Sequence, residues 1–199
     1  VLQVLWGAQI PNLTAGIAKD DWLAAITTLR EEHHLLSQHE DSDGILSDQL
    51  DCHPLIREYY GQQLQETQPD AWQKAHARLY DYYKCLPEKL YGKELPDTLE
   101  EMQPLFSAVA HGCAAGLHQQ TLGEVFWTCI RRKDEGYLVR KLGALSEDLA
   151  AVAHFFTAPW HTPAAGLTEA AQAGVLNWAG FDLSALGRLC ESLKPMQAG

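Results

Sequence analysis

Apolar side chains recur at spacings of three and four residues along most of this chain, and this spacing constrains the fold more than any other feature. It is clear after Pro54, which suits the first position of a helix because its missing N–H would have no helical partner there. The residues that follow form one apolar stripe that we expect to face inward: Leu55, Ile56, Tyr59, Tyr60 and Leu64. The chain is therefore predicted to be mainly α-helical.

The charge balance argues against nucleic acid as the main partner. The 199 residues carry a formal net charge of -11, whereas binding to phosphate backbones relies on clustered Lys and Arg. The basic triplet at residues 131–133 is followed at once by Asp134 and Glu135. With 46% hydrophobic and 21% charged residues, the composition is that of an ordinary globular protein with room for a sizeable core.

The cysteines and the lengths of the apolar runs indicate the cellular compartment of the protein. Five cysteines, an odd number with no close pair, favour buried reduced thiols over a disulfide framework: Cys52, Cys85, Cys113, Cys129 and Cys190. No apolar run approaches the length of a bilayer span, and the first residues lack the features of a signal peptide. We expect a cytoplasmic protein without a membrane partner, and a segment of a longer chain.

Residues 1–66 have the element order of a winged-helix unit. A helical segment ends near Ala8, and a second begins at Asp20 and Asp21, whose charges suit the positive end of a helix dipole. Its expected buried stripe is Trp22, Leu23, Ile26 and Leu29. Two short runs at 34–39 and 45–50 flank the cluster at 41–44 (Asp-Ser-Asp-Gly), which predicts a β-hairpin in the position of the wing.

Residues 67–199 read as a helical bundle. Pro69 begins a helix, Asp97 with Glu100 is typical of a capping box, Gly116 ends a helix and Thr168 suits an N-cap. The longest helical stripe comprises Leu138, Leu142, Leu145, Leu149, Val152 and Phe156. Small residues allow close helix packing, and 171–198, with a turn at 186–189, has the character of a tetratricopeptide-type helix pair.

The segment around His53 resembles the winged-helix histidine motif of STAND-type signalling ATPases, the NACHT and NB-ARC group, in its bacterial form. The match is carried by Asp51-Cys52-His53-Pro54-Leu55-Ile56-Arg57-Glu58-Tyr59, with further similarity at 71–80, 108–113 and 141–144. In that family a winged helix leads from the nucleotide-binding core into helical repeats. The resemblance implies that His53 contacts the phosphate of ADP, a position that also lies at a helix start suited to anions.

The chain departs from the pattern of this family in two respects. The family motif usually has an acid after its His, where this chain has Pro54. No G-x-x-x-x-G-K-[ST] phosphate loop is present in the 199 residues, so we expect no catalysis and no cofactor in this segment, with ADP or ATP bound by an upstream nucleotide-binding domain. The implied function is regulatory: the winged helix restrains that domain, and the repeats bind a protein or other trigger.

Other candidate sites have simpler explanations. A zinc site formed from His33, His34, His39, Cys52 and His53 has none of the usual ligand spacings. His111 and Cys113 lie two apart on a helix and point to different sides, so Cys113 is expected in the core.

The pairs Glu100–Glu101 and Glu147–Asp148 are expected to be solvated. The aromatic group of Trp127, Phe155, Trp160 and His161 fits either buried packing, the favoured interpretation, or a partner contact.

Two other functions remain open. The chain can be a stand-alone helical scaffold for protein–protein interaction, which a gene without an upstream phosphate loop would favour. It can also be a DNA-binding winged-helix regulator, although the predicted recognition helix at 20–32 carries four acids beside Arg30 and would repel phosphates.

Overall fold

A computed structural model describes the backbone of residues 1–40 and 46–198 and the side chains of residues 1–37 and 50–198. The chain divides into two compact units, Val1–Ala75 and His76–Gly199. The boundary predicted from the sequence, between 66 and 67, lies shortly before this division, at the last turn of a helix. No helix within the described ranges is long and apolar enough to cross a bilayer.

The described chain is mainly helical, as the spacing predicts. The helices of the first unit are α1 (Leu2–Gly7), α2 (Lys19–Glu31), α3 (Pro54–Thr67) and α4 (Pro69–Lys84), which extends into the second unit. The second unit continues with α5 (Leu86–Tyr91), α6 (Leu99–Ala114), α7 (His118–Thr121), a π-helix (Leu122–Ile130), a 3-10 turn (Lys133–Glu135), α8 (Tyr137–Arg140), α9 (Leu145–Ala153), α10 (Glu169–Ala185) and α11 (Leu189–Ala198).

The first unit has the order helix, helix, strand pair, helix. Strand β1 (Leu36–Glu40) pairs antiparallel with β2 (Leu46–Cys52), with Ser37 opposite Asp51. The hairpin predicted at 34–39 and 45–50 is thus confirmed in its strands, while its connecting cluster at 41–44 lies outside the described residues. Pro54 occupies the first turn of α3, also as predicted.

The predicted inward stripes of α2 and α3 are wrong. Neither helix has a buried residue, and Leu55, Tyr59 and Tyr60 are 68%, 62% and 57% exposed. Leu23 and Leu29 of α2 are exposed too. The small core of this unit instead gathers Ile10, Ala71 and Ala75 with Leu5, Ala8 and Leu13, because periodicity reveals an apolar face but not which element covers it.

The core of the second unit lies between α6, the π-helix, α9 and α10. Its largest fully buried side chains include Tyr80, Met102, Phe126 and Phe155, with the Phe126 and Phe155 rings edge to face at 5.6 Å. Gly112 of α6 allows this packing to close, since a Cβ there would lie 2.7 Å from Cδ2 of Tyr80. The helices end and begin at Gly116 and Thr168 as the sequence predicts.

Two local predictions in this unit are wrong. The stripe from Leu138 to Phe156 is not one helix, because Gly143 takes φ +66° between α8 and α9 and Phe156 begins a strand. That strand, β3 (Phe156–Ala158), pairs with β4 (Thr162–Pro163) in a second, unpredicted hairpin. The cap of α6 is Thr98, whose Oγ1 accepts the Glu101 N–H, rather than Asp97.

A short turn joins the last two helices. Helices α10 and α11 pack against each other, and Gly187 between them has φ +76°. Exposed apolar side chains remain on this pair, with Phe181, Leu189, Leu193 and Met196 all more than half exposed. The helical pair expected at 171–198 is therefore present as secondary structure; its kinship with tetratricopeptide repeats remains a prediction.

Candidate functional sites

His53 is the N-cap residue of α3 and is exposed. Its Nδ1 accepts the backbone N–H of Leu55 at 3.3 Å. An Nδ1 that accepts a hydrogen bond carries no proton, so a neutral ring in this arrangement has its proton on Nε2. The capping bond thus fixes the tautomer, and Nε2–H is the donor left for another group.

Charged side chains adjoin His53 on both sides. Asp51 accepts the N–H of Cys52 at 2.8 Å through Oδ1, and the same oxygen lies 3.8 Å from Nη2 of Arg57. Arg57, one turn into α3, is itself largely exposed. A ring N–H and the first turn of a 14-residue helix, both favourable to an anion, therefore lie beside the ion pair of Arg57 with Asp51.

The structure describes the side chains of three other residues of the considered zinc site, namely His33, His34 and Cys52. His33 and His34 are exposed after α2, and Cys52 is half-buried at the end of β2. The side chain of His39 lies outside the described residues. Within the described part of the chain, no group of three or more His, Cys, Asp or Glu residues is placed to hold a metal ion.

The second unit contains a cleft that the sequence did not reveal. It has a volume of about 310 Å³ and lies between the end of the π-helix, α8 and α10. Trp127 and Trp178 line it with their rings nearly parallel, 16° apart, and their centroids 5.5 Å apart. The guanidinium of Arg131 lies 4.7 Å from the centroid of the Trp178 ring. We call this the tryptophan cleft.

A buried ion pair holds Arg131 at the tryptophan cleft. Nη1 of Arg131 donates to Oδ2 of Asp148 at 2.7 Å, with side-chain exposures of 11% and 0%. The sequence prediction that Asp148 is solvated is therefore wrong, whereas Glu147 beside it is exposed. Asp148 faces inward because it sits one position before Leu149 on a helix whose buried face is wide.

A second buried acid adjoins this pair. Asp182 of α10 is fully buried next to Asp148, and burial together with the Asp148 charge raises the pKa of Asp182 to about 8. Burial also raises the pKa of Asp148, while the Arg131 charge opposes that rise. At neutral pH a protonated Asp182 can donate to Asp148, so that the three groups together carry no net charge.

The loop at the mouth of the cleft has an unusual backbone. Arg132 and Lys133 are consecutive residues in the left-handed region, with φ +55° and +56°, which non-glycine residues rarely adopt. Arg132 anchors the loop by donating to the carbonyl of Pro96 and by lying 3.6 Å from the centroid of the Tyr137 ring.

A histidine pair lies elsewhere in the same unit. Nδ1 of His76 and Nδ1 of His111 are 2.9 Å apart, and the Tyr83 ring stacks on His111. Burial, aided by the neighbouring histidines, lowers the pKa of His111 to about 4. Cys113 is buried in the core as predicted, and burial raises its pKa to about 12, so it is an inert thiol rather than a partner of His111.

The remaining sequence candidates divide between core and surface. Phe155 and Trp160 are buried, in agreement with the favoured interpretation. Trp127 is half-buried and His161 is exposed. Glu101 is not merely solvated, because its carboxylate accepts the N–H of Asp97 at 2.8 Å. The five cysteines are all unpaired thiols.

Comparison with protein families, with curated proteins and with solved structures finds no match to this chain.

Proposed function

We propose that this chain is a non-catalytic regulatory segment of a STAND-type ATPase. Its first unit acts as a winged helix that docks on an ADP-bound nucleotide domain lying upstream. Its second unit receives the trigger that ends this restraint. ADP belongs to the upstream domain, and His53 supplies one contact to its phosphate.

The geometry of His53 is the observation that carries this proposal. The ring is exposed at a helix start, and its capping bond directs the free proton to Nε2. A phosphate oxygen held by another domain can accept a hydrogen bond from Nε2–H while the α3 dipole adds a favourable interaction. A histidine buried in a core would be unsuited to this role.

The exposed apolar side chains of α3 fit the same proposal. Leu55, Tyr59 and Tyr60 project from the first two turns of the helix that His53 caps. An apolar patch beside a polar contact is typical of a surface that another domain covers. The patch would be covered in the docked state and exposed in the undocked state. A trigger that binds the undocked state more tightly would shift the equilibrium towards it, because a ligand shifts two states only through unequal affinity for them.

The coding region upstream of Val1 gives the first test. We expect it to encode a phosphate loop of the G-x-x-x-x-G-K-[ST] kind, followed by an acidic Mg²⁺ ligand. A gene that lacks this motif upstream would contradict the proposal, and no measurement on the isolated chain is needed to reach that result.

A stand-alone interaction scaffold is the second candidate, and α10 with α11 favours it. A groove of about 540 Å³ runs between these helices and is lined by apolar residues, including Leu176, Phe181 and Met196. Analytical ultracentrifugation of the chain tests whether this face alone drives association. Substitution of Phe181 and Met196 by Ser should abolish any association through it, with Leu55→Ser as the control on the other unit.

A further inference from the structure

We propose that the tryptophan cleft binds a small aromatic anion, a carboxylate or phosphate carried on a planar ring. The site is independent of the nucleotide role of His53, because it lies wholly within the second unit. If the proposed function is correct, this ligand is the trigger that the second unit receives. Binding of the ligand to the cleft does not depend on the proposed function.

Charge is the first argument. The chain carries a net charge of -11, yet the cleft is lined by Arg131, Lys133 and Arg140 against a single acid, Asp134. Arg131 is balanced by Asp148, so Lys133 and Arg140 against Asp134 leave an excess of one positive charge in the lining. Positive charge concentrated in a cleft of an acidic protein favours an anion and disfavours the cations that two tryptophans would otherwise attract.

The walls give the second argument. Trp127 and Trp178 present indole surface to the cleft, and the half-exposed ring of Phe181 lies at its edge. Because these two indoles stack on each other with centroids 5.5 Å apart, a ligand ring cannot enter between them and can lie only against the surface that they line together with Phe181. Contact of one face of a planar ligand with this apolar surface costs little conformational freedom. Asn177 is exposed on the same side of α10 and adds a donor and an acceptor.

The volume limits the ligand. About 310 Å³ is at the small end of the range for ligand sites and holds one substituted ring rather than a nucleotide or a peptide segment. Lys133 and Arg140 are exposed. The anionic group of the ligand would therefore lie at the mouth of the cleft, beside these two side chains, with the ring inside.

The positions of the cleft residues are fixed before a ligand arrives. Arg131 is only 11% exposed, is tied to Asp148 and lies over Trp178, and its Nε has no hydrogen-bond partner among the described residues. The strained turn at Arg132 and Lys133 is anchored through Arg132. Such preorganisation reduces the entropy lost on binding, and strained backbone of this kind is concentrated at functional sites.

Calorimetric titration of the chain with four small probes tests the proposal. Phenyl phosphate and benzoate represent the two anion types, benzylamine is the matched cation, and inorganic phosphate lacks the ring. We expect the two aromatic anions to bind, to quench tryptophan emission and to bind more weakly at high salt, with benzylamine and inorganic phosphate at least about tenfold weaker. Stronger binding of phenyl phosphate than of benzoate would identify a phosphate ligand, and the reverse a carboxylate.

Substitutions at three exposed positions, Lys133, Asp134 and Lys141, test binding with little effect on folding. Lys133→Ala should weaken phenyl phosphate binding several-fold, whereas Lys141→Ala, an exposed neighbour outside the cleft, should leave it unchanged. Asp134→Asn removes the acid of the lining and should tighten binding, a gain that misfolding cannot imitate. Absence of binding by both aromatic anions, preference for benzylamine, or equal effects of the Lys133 and Lys141 substitutions would overturn the proposal.

Discussion

Arg131, at the end of the π-helix, donates a hydrogen bond of 2.7 Å to Asp148 of α9. This pair connects the lining of the tryptophan cleft to the core of the second unit. Both side chains are nearly or fully removed from solvent. The pair therefore links the tryptophan cleft to stability, since neither charge can lose its partner without leaving the other buried and uncompensated.

Removal of the cation should be costly. Arg131→Met leaves the Asp148 charge buried, and we expect the free energy of unfolding to fall by about 3–5 kcal/mol. The double variant Arg131→Met with Asp148→Asn should recover part of that loss, because the unpaired charge is then absent. Urea denaturation measures both, and an Arg131→Met variant as stable as the parent would contradict the buried pair.

Asp182 should make stability depend on pH. Its folded-state pKa of about 8 lies above its ordinary value of 3.8, so the folded protein binds the proton more tightly than the unfolded chain. The resulting stabilisation is complete below pH 3.8 and is lost as the pH rises towards 8. Asp182→Asn should flatten this decline. The melting temperature followed from pH 5 to pH 9 checks it, and an unchanged slope in the variant would exclude the assignment.

The N-cap residue of α6 is Thr98 in the structure, whereas the sequence pattern predicts Asp97 with Glu100. Thr98→Ala removes the oxygen that accepts the Glu101 N–H and should cost about 1 kcal/mol of unfolding free energy. Glu100→Ala, at the position the sequence pattern favours, should change it by less than about 0.5 kcal/mol. If the Glu100 substitution were the more damaging of the two, the capping box would be Asp97 with Glu100 after all.

Close packing at Gly112 gives another stability test. An added Cβ would meet Tyr80 and Thr121, so Gly112→Ala should destabilise the protein by about 1–3 kcal/mol despite the better helix propensity of Ala. Gly123, which has no atom within 4 Å of an added Cβ, is the matched control and should tolerate Ala or gain slightly. Thermal denaturation compares the two, and equal effects would rule out the tight contact at Gly112.

Local signals predicted much of the fold but not the tryptophan cleft. Pro54, Pro69, Gly116 and Thr168 mark helix boundaries because each acts through its own backbone or side chain. Burial of Leu55 or Asp148 depends on which distant element lies opposite, and spacing along one helix carries no such information. The one usable signal was Trp127 with Arg131, four residues apart and thus on one helical face; their partners on α10 could come only from the structure.

The sequence predicted the helix start at Pro54, and so the place of His53 before it, because a proline at the first helical position is a local pattern. The spacing could not show that Nδ1 caps the helix, which determines the ring nitrogen available to a ligand. This detail shapes the most direct test, since His53→Asn keeps a capping oxygen while removing the imidazole.

The rate of ADP release from the full-length protein tests the central claim, that His53 contacts a phosphate held by another domain. We expect His53→Ala and His53→Asn both to release a fluorescent ADP analogue about tenfold faster or more, as loss of a hydrogen bond to a charged group implies. His33→Ala, an exposed histidine of the same unit, should release it at the parental rate. Unchanged release by the folded Asn variant would contradict the account.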